Sequence, residues 1–226
     1  MTSIFARALG ADFERLHPCI QARFGFDSSA GHGSVGRGHM EEIWRGGPWT
    51  APFLALGARR TIMFPDTGRD VPFTIENHAF VDDFGRETIS MIRTFDLPGR
   101  RRRFDAWMVF SEQRGRIVDY LGSREELAVD LDVSVAPNGG IRLVSGGQRL
   151  YLGPLGIAVP LAVSGVADVV EWFDEAIGRY RITVDVRNRR FGRLFGYRGT
   201  FDAAWPVVTD GRVPSHVLPI RQERRD

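Results

Sequence analysis

Apolar positions in residues 3–24 fall three or four apart, at Ile4, Phe5, Leu9, Phe13, Leu16, Ile20 and Phe24. That spacing predicts two short amphipathic helices, punctuated by Gly10 and Pro18. From about residue 58 the period becomes two. Leu127, Val129, Leu131, Val133 and Val135 alternate with polar or small residues, as do Tyr180, Ile182, Val184 and Val186. Strict alternation describes half-buried strands with one face on a core and one on water. Turn signals recur between them, the strongest for a hairpin being Asn138-Gly139. The pattern predicts about ten antiparallel strands, near 58–64, 71–82, 86–97, 102–112, 115–122, 126–136, 140–146, 148–152, 166–174 and 179–202, the last read as two strands. A sheet of that number tends to curl so that its edges do not stay unpaired. The expected fold is therefore mainly β (α+β), an antiparallel sheet closed into a barrel or half-barrel with short N-terminal helices.

One segment breaks the alternation. Residues 150–167, LYLGPLGIAVPLAVSGVA, carry no charge, yet prolines and glycines interrupt them too often for a spanning helix. They read as a buried crossover or, alternatively, as an exposed apolar lip, with peripheral membrane contact through Leu155 to Val163. After Pro206 the chain is expected to run extended or disordered, leaving one sheet-rich domain over 1–205, of which 1–25 are helical.

Composition narrows the classes further. All the basic residues are arginine, 30 against 28 acidic ones, for a formal charge of +2. Nothing in that balance argues for nucleic acid. The run Arg100-Arg101-Arg102-Arg103 follows a Pro-Gly turn and reads as a solvated turn, an anionic headgroup being the sharper alternative. A single cysteine, Cys19, excludes an internal disulfide, and no Cys/His cluster supplies a metal's ligands. With no signal-peptide pattern at the start, a cytoplasmic location is expected, without cofactor or metal.

The stretch GHGSVGRGHM, residues 31–40, places Gly31, Gly33 and Gly36 at dinucleotide-fingerprint spacing. A fingerprint needs a buried strand before it and a helix after it. Neither flank fits. The alternative is a strand through Val35, Arg37 and His39 whose other face, at Gly36 and Gly38, is bare enough for another backbone or a ligand to approach.

Candidate chemistry centres on Arg93, which shares a strand face with Ile89, Met91, Phe95 and Leu97. A guanidinium among apolar neighbours should meet a carboxylate, water or an anionic ligand. Glu76 and His78 share a face on their strand and form the nearest thing to an acid/base pair. His17 suits a helix cap. His39, flanked by glycines and followed by Glu41 and Glu42, is a further polar candidate. Trp107, Tyr120, Tyr151, Trp172 and Tyr197 lie along strands as core or pocket lining. The ligand-contacting set is thus Arg93, Met91, Phe95, His39, Trp107, Tyr120 and Tyr197.

Several segments together resemble a bacterial family known as domain of unknown function 4166. They are LGADFERLHP (9–18), VGRGHM (35–40), PFTIEN (72–77), IRTF (92–95), RRRFDAWMVFSEQRGRIVDYLG (101–122), GPLG (153–156) with Pro160, and FGYRGTFD (195–202). The resemblance covers about residues 4–205 and implies a mostly β domain without assigned catalytic residues. It also implies a domain found alone or fused to NAD(P)-binding oxidoreductase-like domains and membrane segments. Relatives often carry Trp two positions before the matching arginine, where this chain has Met91. Two functions follow as expectations. One is a noncatalytic module binding a lipid-like or hydrophobic small molecule with a polar or anionic end. The other is an enzyme or accessory domain with an oxidoreductase partner, in which Glu76, His78 or His39 transfers protons.

Overall fold

The computed structural model describes residues 2–152, 155–160, 162, 164–208 and 212–225. Helices α1 (Ile4–Leu9) and α2 (Pro18–Phe24) flank a 3-10 turn at Gly10–Arg15. Ser3 caps α1 by accepting from Phe5 N, and His17 caps α2 by accepting from Cys19 N, with Pro18 at the first helical position. Strands follow as β1 (Ser34–Arg45), β2 (Gly68–Val81), β3 (Glu87–Leu97), β4 (Arg100–Ser111), β5 (Arg116–Leu121), β6 (Leu127–Val135), β7 (Ile141–Leu152), β8 (Leu155–Val159), β9 (Val166–Asp174), β10 (Arg179–Asn188) and β11 (Gly192–Ala204). A third helix, α3 (Ala51–Ala58), lies between β1 and β2.

The strands pair antiparallel in the order β6-β5-β4-β3-β2-β1-β11-β10-β9-β7, and β6 also pairs β7. That last pairing closes a ten-stranded barrel, with β8 added on β7. The sheet thereby hides the edges that alternation alone would leave open.

Three expectations change. Residues 58–64 are not a strand: α3 ends at Ala58, Thr61 turns the chain at φ 54°, and Phe64 is fully buried. A short apolar run has no period of its own, and here it serves as a plug. The strands read at 140–146 and 148–152 are one strand, β7, whose register against β6 shifts between Val129 and Leu131, opposite Gly146-Gly147. Beyond that shift β7 leaves β9 and takes β8 as its neighbour. The uncharged segment is therefore not a buried crossover. Its described part includes strand β8, with Leu155 and Ile157 exposed, while residues 153, 154, 161 and 163 lie outside the described ones.

The glycine-rich stretch forms β1. A side chain at Gly36 would strike Phe201 and Ile75, at 2.5 and 2.6 Å, and one at Gly38 would strike Thr200 O at 2.0 Å. The bare face is used by neighbouring strands rather than by phosphate. Helices α1 and α2 close one barrel end, Phe5 packing edge-on to Phe24 at 4.9 Å. At the other end Leu54 of α3 and Phe64 reach inward, Phe64 lying 5.0 Å from both Phe95 and Phe195. Between these plugs the interior is filled by Met40, Phe73, Met91, Phe95, Tyr197 and Phe201, all at most 3% exposed. Burying each aromatic ring contributes about 2 kcal/mol, so the filling is a major source of stability.

Residues 212–225 run along the outside. Trp107 donates Nε1 to Val217 O at 2.8 Å, and Val217 sits fully buried on Phe80, Ile92, Val109 and Tyr120. This strap covers an outer face of the sheet that would otherwise be apolar and wet.

Candidate functional site

Because side chains alternate along each strand, Arg93 enters the barrel with Ile75 and Phe104, its partners across β2 and β4. Arg93 is 4% exposed. Its Nε donates to Phe104 O at 3.2 Å, one terminal nitrogen donates to Tyr197 Oη at 3.4 Å, and its guanidinium lies 3.7 Å from the Phe104 ring centroid. These partners are neutral. Two buried carboxylates feel its charge: Asp105, which Arg103 already holds, and Asp119, 7% exposed, whose Oδ1 has no hydrogen-bond partner. Burial drives the Asp119 pKa up to about 7, against the pull of Arg93. Tyr197 is raised too, by burial, with Arg93 opposing.

A second interior arginine makes the contrast. Arg23 of α2 ion-pairs with Glu171 and donates to Ser34 Oγ at 2.7 Å and Asn77 Oδ1 at 2.9 Å. Its guanidinium also sits 4.9 Å from the Phe201 ring centroid. Arg23 ties the helical plug to three strands. Nothing in its sequence neighbourhood, PCIQARFG, marked it, because a helix facing a barrel mouth buries positions that an isolated helix would expose.

The sequence-derived set divides by face. Arg93, Met91, Phe95 and Tyr197 come together inside, Phe95 packing edge-on to Tyr197 at 5.1 Å. Trp107 and Tyr120 lie on the outer face beneath the strap, where Tyr120 Oη accepts from Arg225 N at 3.1 Å. His39 is exposed on the outer side of β1. Spacing along the chain could not separate these groups, because strand parity sorts residues only once the pairing partners are known.

Of the proton-transfer candidates, Glu76 and His78 lie near enough for their charges to interact, while His39 stands apart on β1 opposite Pro72. Glu76 meets His216 of the strap at 2.9 Å. His78 is buried with neither ring nitrogen bonded, its pKa lowered by burial, and its ring would collide at 2.4 Å with any side chain at Gly33. His17 spans α2 and the Glu175 carboxylate at 2.7 Å. The arginine run at the start of β4 is paired as well: Arg100 and Arg102 meet Asp66, Arg101 meets Asp96, and Arg103 meets Asp105. Among the described residues no group of three or more His, Cys, Asp or Glu is placed to hold a metal ion.

These features define a class: a closed antiparallel barrel, plugged at both ends, with charged side chains sealed among aromatic ones. The chain belongs to the family described as Domain of unknown function (DUF4166), whose model matches residues 16–201. It is similar to the uncharacterized protein YndH of Bacillus subtilis (strain 168), with 34% identity over 201 residues that cover 89% of this chain and 97% of that protein. No solved structure matches the chain significantly.

Proposed function

We propose that the barrel is a binding module for a hydrophobic small molecule with an anionic or polar end, held by Arg93 and Tyr197. One observation carries this reading: Arg93 is a sealed cation whose direct partners are a carbonyl, a phenol and a ring. A buried charge held this way is costly unless an anion also meets it. The unpartnered oxygen of Asp119 adds a second polar group which, with its pKa raised to about 7, can donate to a ligand's oxygen in its protonated form. The aromatic filling, with Phe64 and Leu54 at its top, restricts the mode of entry. The ligand reaches Arg93 by displacing the segment 48–67 rather than by entering an open cavity.

The test is a titration with anilinonaphthalene sulfonate, an apolar body carrying one anionic group. Saturable binding, weakened at least about tenfold by Arg93→Met and less by Tyr197→Phe, is the expected result, since a charge-assisted hydrogen bond outweighs a neutral one. Equal affinity in the folded Arg93→Met protein would remove the anchoring role.

A further inference from the structure

Residues 46–58, GGPWTAPFLALGA, carry no charge and are bracketed by Arg45 and by Arg59-Arg60. A helix apolar on every side is ordinarily buried on every side. In α3 it is not. Leu54 turns into the barrel, while Phe53 is 73% and Leu56 61% exposed. Trp49, four residues before Phe53, is 45% exposed and packs at 5.3 Å on Phe191, itself 50% exposed, from the β10–β11 turn. Spacings of four and three place Trp49, Phe53 and Leu56 along one stripe. The end of β7 and the start of β8 lie at the same barrel end, because Leu150 pairs with Leu127, the first residue of β6, and Leu152 with Leu155. There Leu155 is 68% and Ile157 51% exposed.

Several arginines around this surface lack a counter-ion. Arg45, Arg59, Arg189 and Arg190 are exposed and have no carboxylate partner among the described residues. On the same rim Arg100, Arg101 and Arg102 are held by Asp66 and Asp96. Arg37, Arg124, Arg212 and Arg224 are likewise exposed without a carboxylate partner among the described residues, but only the four beside α3 and the β10–β11 turn adjoin the apolar stripe. Aromatic and aliphatic side chains ringed by arginines match the boundary of a bilayer, where rings sit at headgroup level and guanidinium groups pair with phosphates. A second copy of this face would bring the same arginines opposite their equivalents, which opposes self-association.

We infer that the α3 end of the barrel docks on an anionic membrane surface, the stripe entering the interface and the four arginines meeting lipid phosphates. Docking there sets the segment covering Arg93 against the bilayer, although the inference does not depend on what the interior binds. Flotation of the full chain with phosphatidylcholine vesicles, with and without phosphatidylglycerol, tests it. The expected result is binding to the phosphatidylglycerol-containing vesicles that falls about tenfold or more in Phe53→Asp/Leu56→Asp, in line with the cost of placing charge at such an interface. Both sites are exposed, so this variant should melt with the parent. In Arg45→Gln/Arg59→Gln the preference for phosphatidylglycerol should shrink while the stripe stays intact, which gives a second readout. Absence of vesicle binding by the parent, or binding indifferent to both variants, would overturn the inference. So would concentration-dependent dimerisation abolished by the Asp pair, which would show that a second copy covers the stripe.

Discussion

Two arginines lie inside one barrel and are treated differently by it. Arg23 has a carboxylate, a hydroxyl and an amide, one for each nitrogen, and draws α2 onto β1, β2 and β9. Arg93 has a carbonyl and a phenol, and the nearby carboxylates Asp119 and Asp105 act on it without an ion pair. Burial alone therefore does not distinguish a clamp from a candidate binding group. The completeness of the partner set does, because a saturated cation has nothing left to offer a ligand.

The contrast sets an order of effects. Arg23→Met should be the most damaging change, costing about 3–5 kcal/mol in denaturant unfolding because it strands Glu171 in the core. Adding Glu171→Gln should restore part of that loss; equal stability of single and double variants would break the clamp reading.

The next effect is one of pH. Asp119 has a folded pKa raised from 3.8 to about 7, so between these values the folded state holds a proton that the unfolded chain has released. Its contribution to stability is present below the unfolded value and is lost as pH rises towards 7, by up to about 4 kcal/mol before relaxation is counted. Glu125, raised from 4.5 to about 8 by burial, acts in the same direction over its own window. The difference in stability between Asp119→Asn and the parent should therefore shift in the variant's favour from pH 4 to pH 7. A pH-independent difference would contradict the assignment.

On the outside, Val217→Ala should loosen the strap for roughly 1–3 kcal/mol and red-shift the fluorescence of Trp107. Tyr197→Phe removes one long hydrogen bond to Arg93 and should cost about 1 kcal/mol in the same unfolding assay. The smallest effect belongs to His39→Ala, within about 0.5 kcal/mol, since the side chain is exposed.

Much of this architecture was legible along the chain. Alternation through 127–135 and 179–187 predicts strands that occur as β6 and β10, and the number of such runs made closure the economical solution. Alternation also placed Arg93 with Met91 and Phe95, as the barrel does. What could not be read was everything that depends on a distant partner. Nothing along β2 marks Asn77 as anything but a strand residue, and only the arrival of α2 makes it a partner of Arg23. Trp107 and Tyr120 carry no mark of lying on the outside, because the strap that buries them comes from residues near 217 and 225. The uncharged stretch around α3 went unmarked for another reason. Its glycines and prolines hide any helical period, and the anomaly appears only when half of an apolar helix is found facing water.

The most direct test of the Arg93 reading is native mass spectrometry of the purified chain, beside Arg93→Met and Arg23→Met/Glu171→Gln, followed by denaturing extraction of whatever each carries. The account predicts an amphiphile with an anionic or polar end on the parent and on the clamp variant, and its loss from Arg93→Met. A folded Arg93→Met protein carrying the same molecule in the same proportion, or a parent that carries none and binds no anionic amphiphile when offered one, would contradict it.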